Sequence, residues 1–211
     1  SDVAHELRTP LATLQSHIEA ILDGVWKAEP ERLKVCHNEV LRLNRMVADL
    51  GRLTRYESEN LVLNRTEFDL TALIRQLIIN FESEFVRKGV AIHLDGEKTL
   101  ICADRDKISQ IMINLIDNGL KFTPAGGKVE IHVFKGVNEV GIKVKDNGCG
   151  ITEEDLPLIF ERFYRADKSR SRSTGGSGIG LTIVKTLVEA HQGTINVKSE
   201  VGKGTEFTIF L

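Results

Sequence analysis

Apolar residues recur at Leu7, Leu11, Leu14, Ile18, Ile21 and Val25, in alternating steps of four and three. That stepping is the heptad seam of a helix that packs along another helix. The seam breaks at "GVWKAEPERL", where Pro30 suits a first helical turn and Glu29 and Glu31 favour its positive end. It resumes at Leu33, Cys36, Val40, Leu43, Val47 and Leu50. Residues 1–60 therefore read as an antiparallel helical hairpin. Two helices alone leave most of such a seam wet, so the pattern predicts a homodimer in which two hairpins close into a four-helix bundle.

The grammar changes after that. "ESENLVLNRTEFDL" shifts in composition, giving a linker over residues 61–66 and then a first strand. "EFDL" and "VAIHL" read as short strands, and "TALIRQLIINFESEFVRKG" as a helix closed by Gly89. "DRDKISQIMINLIDNGLKF" is a second helix. Val129, Ile131 and Val133 alternate, as do Val140, Ile142 and Val144, which predicts two strands with one buried face each. A glycine-started helix, "GIGLTIVKTLVEAHQG", and the strands "TINVKS" and "TEFTIFL" follow. The fold class is α+β: a helical hairpin, then an α/β two-layer sandwich over residues 67–211.

Charge and cysteine content narrow the partners. Twenty-eight basic against thirty acidic side chains give no bulk field for nucleic acid or a membrane surface. Cys36, Cys102 and Cys149 are odd in number and form no CxxC pair, which suits a reducing compartment and ordinary buried or half-buried thiols. No apolar run approaches the roughly 20 residues of a membrane helix. Ser1 opens the chain and His5 lies within the first helical turn, so the sequence reads as a segment of something longer.

Three clusters carry candidate chemistry. Asn114, Asn118 and Lys121 share one helical stripe beside Ile108, Ile111 and Leu115. Amide oxygens and an ammonium there suit a magnesium-bound phosphate chain, and they equally suit a polar helix edge. The inward alternation of Val140, Ile142 and Val144 continues to Asp146, which puts a carboxylate at the mouth of the core. An adenine amine would satisfy it, with Gly148 and Gly150 allowing close approach; a turn aspartate without a ligand has the same local sequence. "GGSGIGL" opens a helix, where backbone N–H groups can cradle an anion. Gly176, Gly178 and Gly180 fit neither GxGxxG nor the P-loop, which disfavours a Rossmann domain. Between the last two lies "IFERFYRADKSRSRSTGG", with Phe160 and Phe163 placed to clamp a mobile lid and Arg165 placed to reach a terminal phosphate. Lys168, Arg170 and Arg172 read as a solvated loop.

In order, "HELRTPL", "NLIDNGLKF", "DNGCGI", "FERFYRAD" and "GGSGIGL" resemble the H, N, first glycine, F and second glycine boxes of bacterial sensor histidine kinases. Each box alone is common; their order and spacing cover nearly the whole chain. The resemblance implies a dimerising phosphoacceptor hairpin followed by an ATP-binding domain of the gyrase and chaperone ATPase superfamily. It implies that His5 is phosphorylated, with Glu6 as its acid–base partner and Thr9 orienting water in a phosphatase reaction. Asn118 would be the Mg2+ ligand, assisted by Asn114, with Lys121 and Arg165 on the phosphates and Asp146 on adenine. Gly148, Gly150, Phe160, Gly176, Gly178, Gly180 and Leu181 would shape the ATP pocket and lid. A response regulator's receiver domain is the implied partner. The implied location is the cytoplasmic face of an inner membrane, reached through upstream segments that this chain lacks. Gly119 departs from the pattern, since many relatives have alanine, and is expected to loosen the end of its helix.

His5 stands apart from His17, His37, His93, His132 and His191, which read as ordinary histidines, because of its neighbours Glu6, Thr9 and Pro10. Pro10 removes a backbone donor and is expected to bend the helix just past the reactive turn. Two rival readings are a nucleotide-gated binding module and a plain ATPase that uses the hairpin as a clamp.

Overall fold

The computed structural model describes residues 2–58, 61–137, 139–166 and 176–211. Two long helices come first, α1 (Asp2–Leu22) and α2 (Pro30–Tyr56), packed side by side. Pro30 opens α2 as expected from its fixed φ. The first helix ends earlier than the seam suggested: Gly24 takes a left-handed φ of +73°, and Val25 lies outside the helix. Trp26 folds the turn back onto α1. Its N–H donates to the Ala20 carbonyl at 2.8 Å, the Arg32 guanidinium sits 4.2 Å over its ring, and His17 meets it edge-on at 5.0 Å.

The heptad positions divide into two sets. Leu7, Leu14, Ile21, Cys36, Leu43 and Leu50 are half-buried, whereas Leu11, Ile18, Leu33, Val40 and Val47 are 40–58% exposed. One position of each heptad is thus used within the hairpin, and the other is left bare. No helix among the described residues is long and apolar enough to cross a membrane.

The second part is a two-layer sandwich. Strand β1 (Arg65–Asp69) starts inside the stretch expected as linker and pairs antiparallel with β3 (Leu100–Asp104). The sequence pattern missed β3, because in "LICAD" the outward residues Leu100 and Cys102 are as apolar as the inward Ile101 and Ala103. The main sheet has the order β2 (Ala91–Asp95), β4 (Lys128–Lys135), β5 (Val140–Asp146), β7 (Gly204–Phe210), β6 (Thr194–Glu200). Among the described residues only β2 and β4 run parallel. Helices α3 (Leu70–Lys88), α4 (Arg105–Phe122) and α5 (Gly180–Ala190) bury their apolar stripes with Val129, Ile131, Val133, Ile142, Val144, Phe207 and Ile209. The other sheet face carries a cross-strand row of alternating charge, Glu130, Lys145, Glu206 and Lys198. Cys102 and Cys149 are exposed rather than buried, Cys102 on the outward side of β3 and Cys149 in the turn after β5.

Helix ends are closed by side chains. Asp69 Oδ1 accepts from Ala72 N at 3.2 Å, and Asp104 Oδ1 accepts from Asp106 N and Lys107 N, both at 3.1 Å. Lys88 Nζ donates to the Leu120 and Lys121 carbonyls, at 2.5 and 2.8 Å, and so caps the end of α4. Gly119 does not loosen that end, since α4 continues to Phe122. A Cβ at Gly119 would stand 3.0 Å from Val129 Cγ2, so glycine lets α4 lie close on β4.

His191 joins the two helices of the candidate site from below. Its Nδ1 donates to the Leu187 carbonyl at 2.8 Å, and its Nε2 accepts from Asp104 N at 3.2 Å. Both ring nitrogens are thereby committed to the neutral form. Burial pushes its pKa below the ordinary 6.5, with Arg65 and Lys107 adding to the effect and Leu187 and Asp104 opposing it. The unfolded chain then binds the extra proton first, so this stability is present above about pH 6.5 and is lost as pH falls below it. Between pH 7.5 and 5.5 the melting temperature is expected to drop by several degrees more in the parent than in His191→Gln, as read by circular dichroism. Equal drops would remove the assignment.

Candidate functional site

The α4 stripe reaches toward the start of α5. Asn114 Nδ2 donates to the Gly180 carbonyl at 3.1 Å, and Asn114 Oδ1 accepts from Gln110 Nε2 at 3.1 Å. Both ends of that amide are therefore engaged. Asn118, one turn further on and half-buried, has no hydrogen-bond partner among the described residues. Lys121 Nζ pairs with Asp117 Oδ2 at 2.5 Å, one turn back on the same helix. Gln110 was not singled out from sequence, although its spacing of four from Asn114 was a visible signal.

At the end of β5, Asp146 pairs in register with Val129 and is only 9% exposed, on the core side of the sheet. Gly148 N and Thr205 N donate to the same oxygen, Oδ1, at 2.8 and 3.3 Å. Oδ2 accepts from no described residue. Burial raises the Asp146 pKa above the ordinary carboxylate value, and those two amides hold it down in part. The carboxylate is thus half satisfied and short of one donor. Two glycines let the backbone after β5 pack tightly on its neighbours. A Cβ at Gly148 would lie 2.4 Å from the Phe122 carbonyl, and one at Gly150, where φ is +71°, would lie 2.1 Å from that of Glu200.

The glycine cluster and the aromatic segment before it are tied together. Phe163 N donates to the Gly178 carbonyl at 2.9 Å, and Gly178 has φ +73° with its α-carbon against the Phe163 backbone. Phe163 is itself left-handed, at φ 64°, and buried. Such a backbone costs about 1–3 kcal/mol and is found where a site needs it. The Phe160 carbonyl accepts from Thr182 Oγ1 at 2.9 Å, which anchors this segment on α5. Gly176 has open space around it, Gly180 starts α5, and Leu181 is half-buried against the core. Lys168, Arg170, Arg172 and the residues from 167 to 175 lie outside the described residues.

The third region is the hairpin. His5 is exposed on α1, Glu6 is half-buried beside it, and Thr9 Oγ1 donates to the His5 carbonyl at 3.4 Å. Helix α1 continues through Pro10, which is buried and offers no N–H to the Glu6 carbonyl. Arg165, expected on a terminal phosphate, is half-buried. Burial lowers its pKa most, Arg42 adds to that, and Glu6 and Glu39 counter it, so its guanidinium shares a charge cluster with the hairpin. Arg42 Nη1 in turn holds Glu39 Oε1 at 2.8 Å.

The sandwich is seated on α2. Ser177 Oγ donates to Asp49 Oδ2 at 2.7 Å, Arg162 Nη2 meets Glu57 Oε2 at 2.6 Å, and the Lys107 ammonium lies 5.0 Å over the Tyr56 ring. Met46 and Leu53 are buried in the same apolar cluster as the sheet's core. None of these pairs is legible in sequence, because their partners are 51 to 128 positions apart. Leu53 is 1% exposed, so Leu53→Asp is expected to detach the sandwich from α2 at a cost of about 3 kcal/mol. Limited proteolysis between the two parts should then be at least severalfold faster; an unchanged rate would show that this contact does not hold them together.

Comparisons with known proteins agree in their order along the chain. Residues 1–59 match the family model for the His Kinase A (phospho-acceptor) domain, and residues 103–211 match that for the histidine kinase-, DNA gyrase B- and HSP90-like ATPase. The whole chain is 39% identical over 222 residues to the sensor histidine kinase WalK of Bacillus subtilis, of which it covers 36%. It is 37% identical over 216 residues to the sensor protein SrrB of Staphylococcus aureus N315, of which it covers 37%. The chain thus spans a little over a third of the length of these two relatives. Among solved structures, the Acinetobacter baumannii histidine kinase AdeS superposes with a TM-score of 0.80 at 33% identity, covering 98% of this chain and 96% of that one. The histidine kinase ThkA, in complex with the response regulator TrrA, superposes with a TM-score of 0.81 at 26% identity, covering all of this chain and 59% of that one. With a phosphoacceptor hairpin and an ATPase sandwich in that order, this chain belongs to the sensor histidine kinase family.

Proposed function

We propose that this chain is the catalytic core of a two-component sensor: it phosphorylates His5 from ATP and passes the phosphoryl group to an aspartate of a response regulator. In this reading residues 1–60 dimerise and carry His5, residues 61–66 link, and residues 67–211 bind nucleotide. The carrying observation is Asp146, a buried carboxylate with one oxygen satisfied by backbone amides and the other awaiting a donor. An adenine amine is such a donor.

Phosphoryl transfer asks for positioning and charge neutralisation more than for covalent work. The N-terminal amides of α5 face the phosphates with a helix dipole, and Lys121 and Arg165 add positive charge. Lys121 then exchanges Asp117 for phosphate, and Arg165 exchanges the hairpin cluster for it. Asn118 has the uncommitted amide oxygen that would hold a magnesium ion, and magnesium supplies neutralisation of the phosphate charge. The His5 imidazole attacks with its lone pair. The N–P bond forms as the bond from the γ-phosphorus to the bridging oxygen breaks, ADP leaves, and Glu6 takes up or stabilises the imidazole proton. Thr9, one turn beyond His5, would orient water against a regulator's phosphoaspartate and so add phosphatase activity.

Two observations favour this over a plain ATPase. Asn114 is a neutral amide bonded at both ends and cannot take a proton from water. The exposed histidine beside a carboxylate on a paired helix has no part in hydrolysis. The bare heptad positions supply the dimer surface, and anchoring to a membrane would come through upstream segments. The test is incubation with labelled ATP and magnesium. A kinase gives acid-labile, base-stable protein label that a receiver domain then removes; free phosphate without label indicates the ATPase, and neither product indicates the gated module.

A further inference from the structure

We propose that Gln110 is a positioning residue for nucleotide binding, acting through Asn114 to hold the first turn of α5 in place against α4; this rests on the nucleotide reading above. Gln110, Asn114 and Asn118 lie in one row, each a turn from the next. The Gly180 carbonyl can only accept, so Asn114 must present its nitrogen there, at 3.1 Å. That leaves the Asn114 oxygen facing Gln110, whose Nε2 supplies the matching hydrogen at 3.1 Å. Turned over, the Asn114 amide would set its oxygen against the Gly180 oxygen, two acceptors at hydrogen-bond distance, so with a non-donor at position 110 it keeps its orientation but loses the second bond that fixes its position.

The bond matters because of what Gly180 begins. It is the first residue of α5, and the amides of that turn have no intrahelical partners. Asn118 stands one turn beyond Asn114 on α4. The bridge from Gln110 through Asn114 to Gly180 therefore fixes the spacing between the two groups that would face the phosphates and their metal. A shift of about 1 Å in such a spacing weakens a bound anion without unfolding anything. Among the described residues the Asn114–Gly180 bond is the one hydrogen bond from the Gln110–Asn114–Asn118 row to α5; it adds to the Thr182–Phe160 bond and the core packing of Ile183 and Val184 in holding the start of that helix.

Gln110→Met keeps the length of the side chain and removes the donor. Binding of ADP with magnesium, titrated calorimetrically, is expected to weaken about fivefold in Gln110→Met. In an Asn114→Ala background the same substitution should be silent, because its effect passes through Asn114. A role in general helix packing would give the same loss in both backgrounds, and that result overturns the proposal, as does no loss in the parent background. Amide exchange of the first α5 turn in nucleotide-free protein gives a second readout, expected to quicken with Gln110→Met only when Asn114 is present. If the parent protein binds no magnesium nucleotide, the functional reading itself falls and this proposal with it; if the parent binds and the two backgrounds respond alike, only the role of Gln110 falls.

Discussion

His5→Ala is expected to lower acid-labile labelling from ATP and magnesium by roughly a thousandfold or more, to background, since alanine offers no lone pair. Nucleotide affinity should not change, because the residues proposed to hold adenine and phosphate belong to the sandwich. His5 is exposed and makes no side-chain bond among the described residues, so the variant should melt as the parent does. Those three readouts belong together: loss of label with intact binding and intact melting isolates the nucleophile. Label retained in the variant would mean that another residue is the acceptor, and the reading of α1 would be wrong. A Glu6→Gln variant is expected to give an intermediate result, slower labelling with the same final site. Its loss of charge also relaxes the cluster that Glu6 shares with Arg165 and Glu39.

Asp146→Asn tests the other half of the reaction. Asparagine keeps an oxygen for the Gly148 and Thr205 amides, so the turn should survive. At the second position it puts an N–H where the parent has an acceptor. The adenine amine then meets a donor, and affinity for ATP should fall by about 3 kcal/mol, or roughly a hundredfold. A base with a carbonyl at that position should lose far less, so competition by GTP should become comparable with ATP. Equal affinity of the parent for both nucleotides would remove the rationale before any variant is made. Asp146→Ala is a harsher change, since it also leaves two amides without their acceptor.

Much of this was legible from residue order. The interval between Leu7 and Ile21 gave α1, Pro30 and Gly89 marked helix ends, and the alternation through Ile142 and Val144 put Asp146 on the inner face. Those features depend on neighbours within a turn or two. What escaped depends on distant partners. Strand β3 lacks a polar alternate residue to reveal its period. A second stripe on α2, Glu39, Arg42, Met46, Asp49, Leu53 and Tyr56, runs beside the heptad seam at the same spacing and receives the sandwich. Being mostly polar, it reads as solvated until the other domain is set against it. Arg165 was singled out for a phosphate, but its place among the hairpin charges escaped for the same reason, since only the folded chain brings position 165 near position 6.

Pro10 has one more effect. Without its amide, the ladder of α1 lacks a rung at Glu6, so the turn bearing His5 is tied to the rest of the rod less tightly than any turn after it. A twist applied at the start of α1 would then be absorbed here first, reorienting the imidazole while the rest of the helix stays wound.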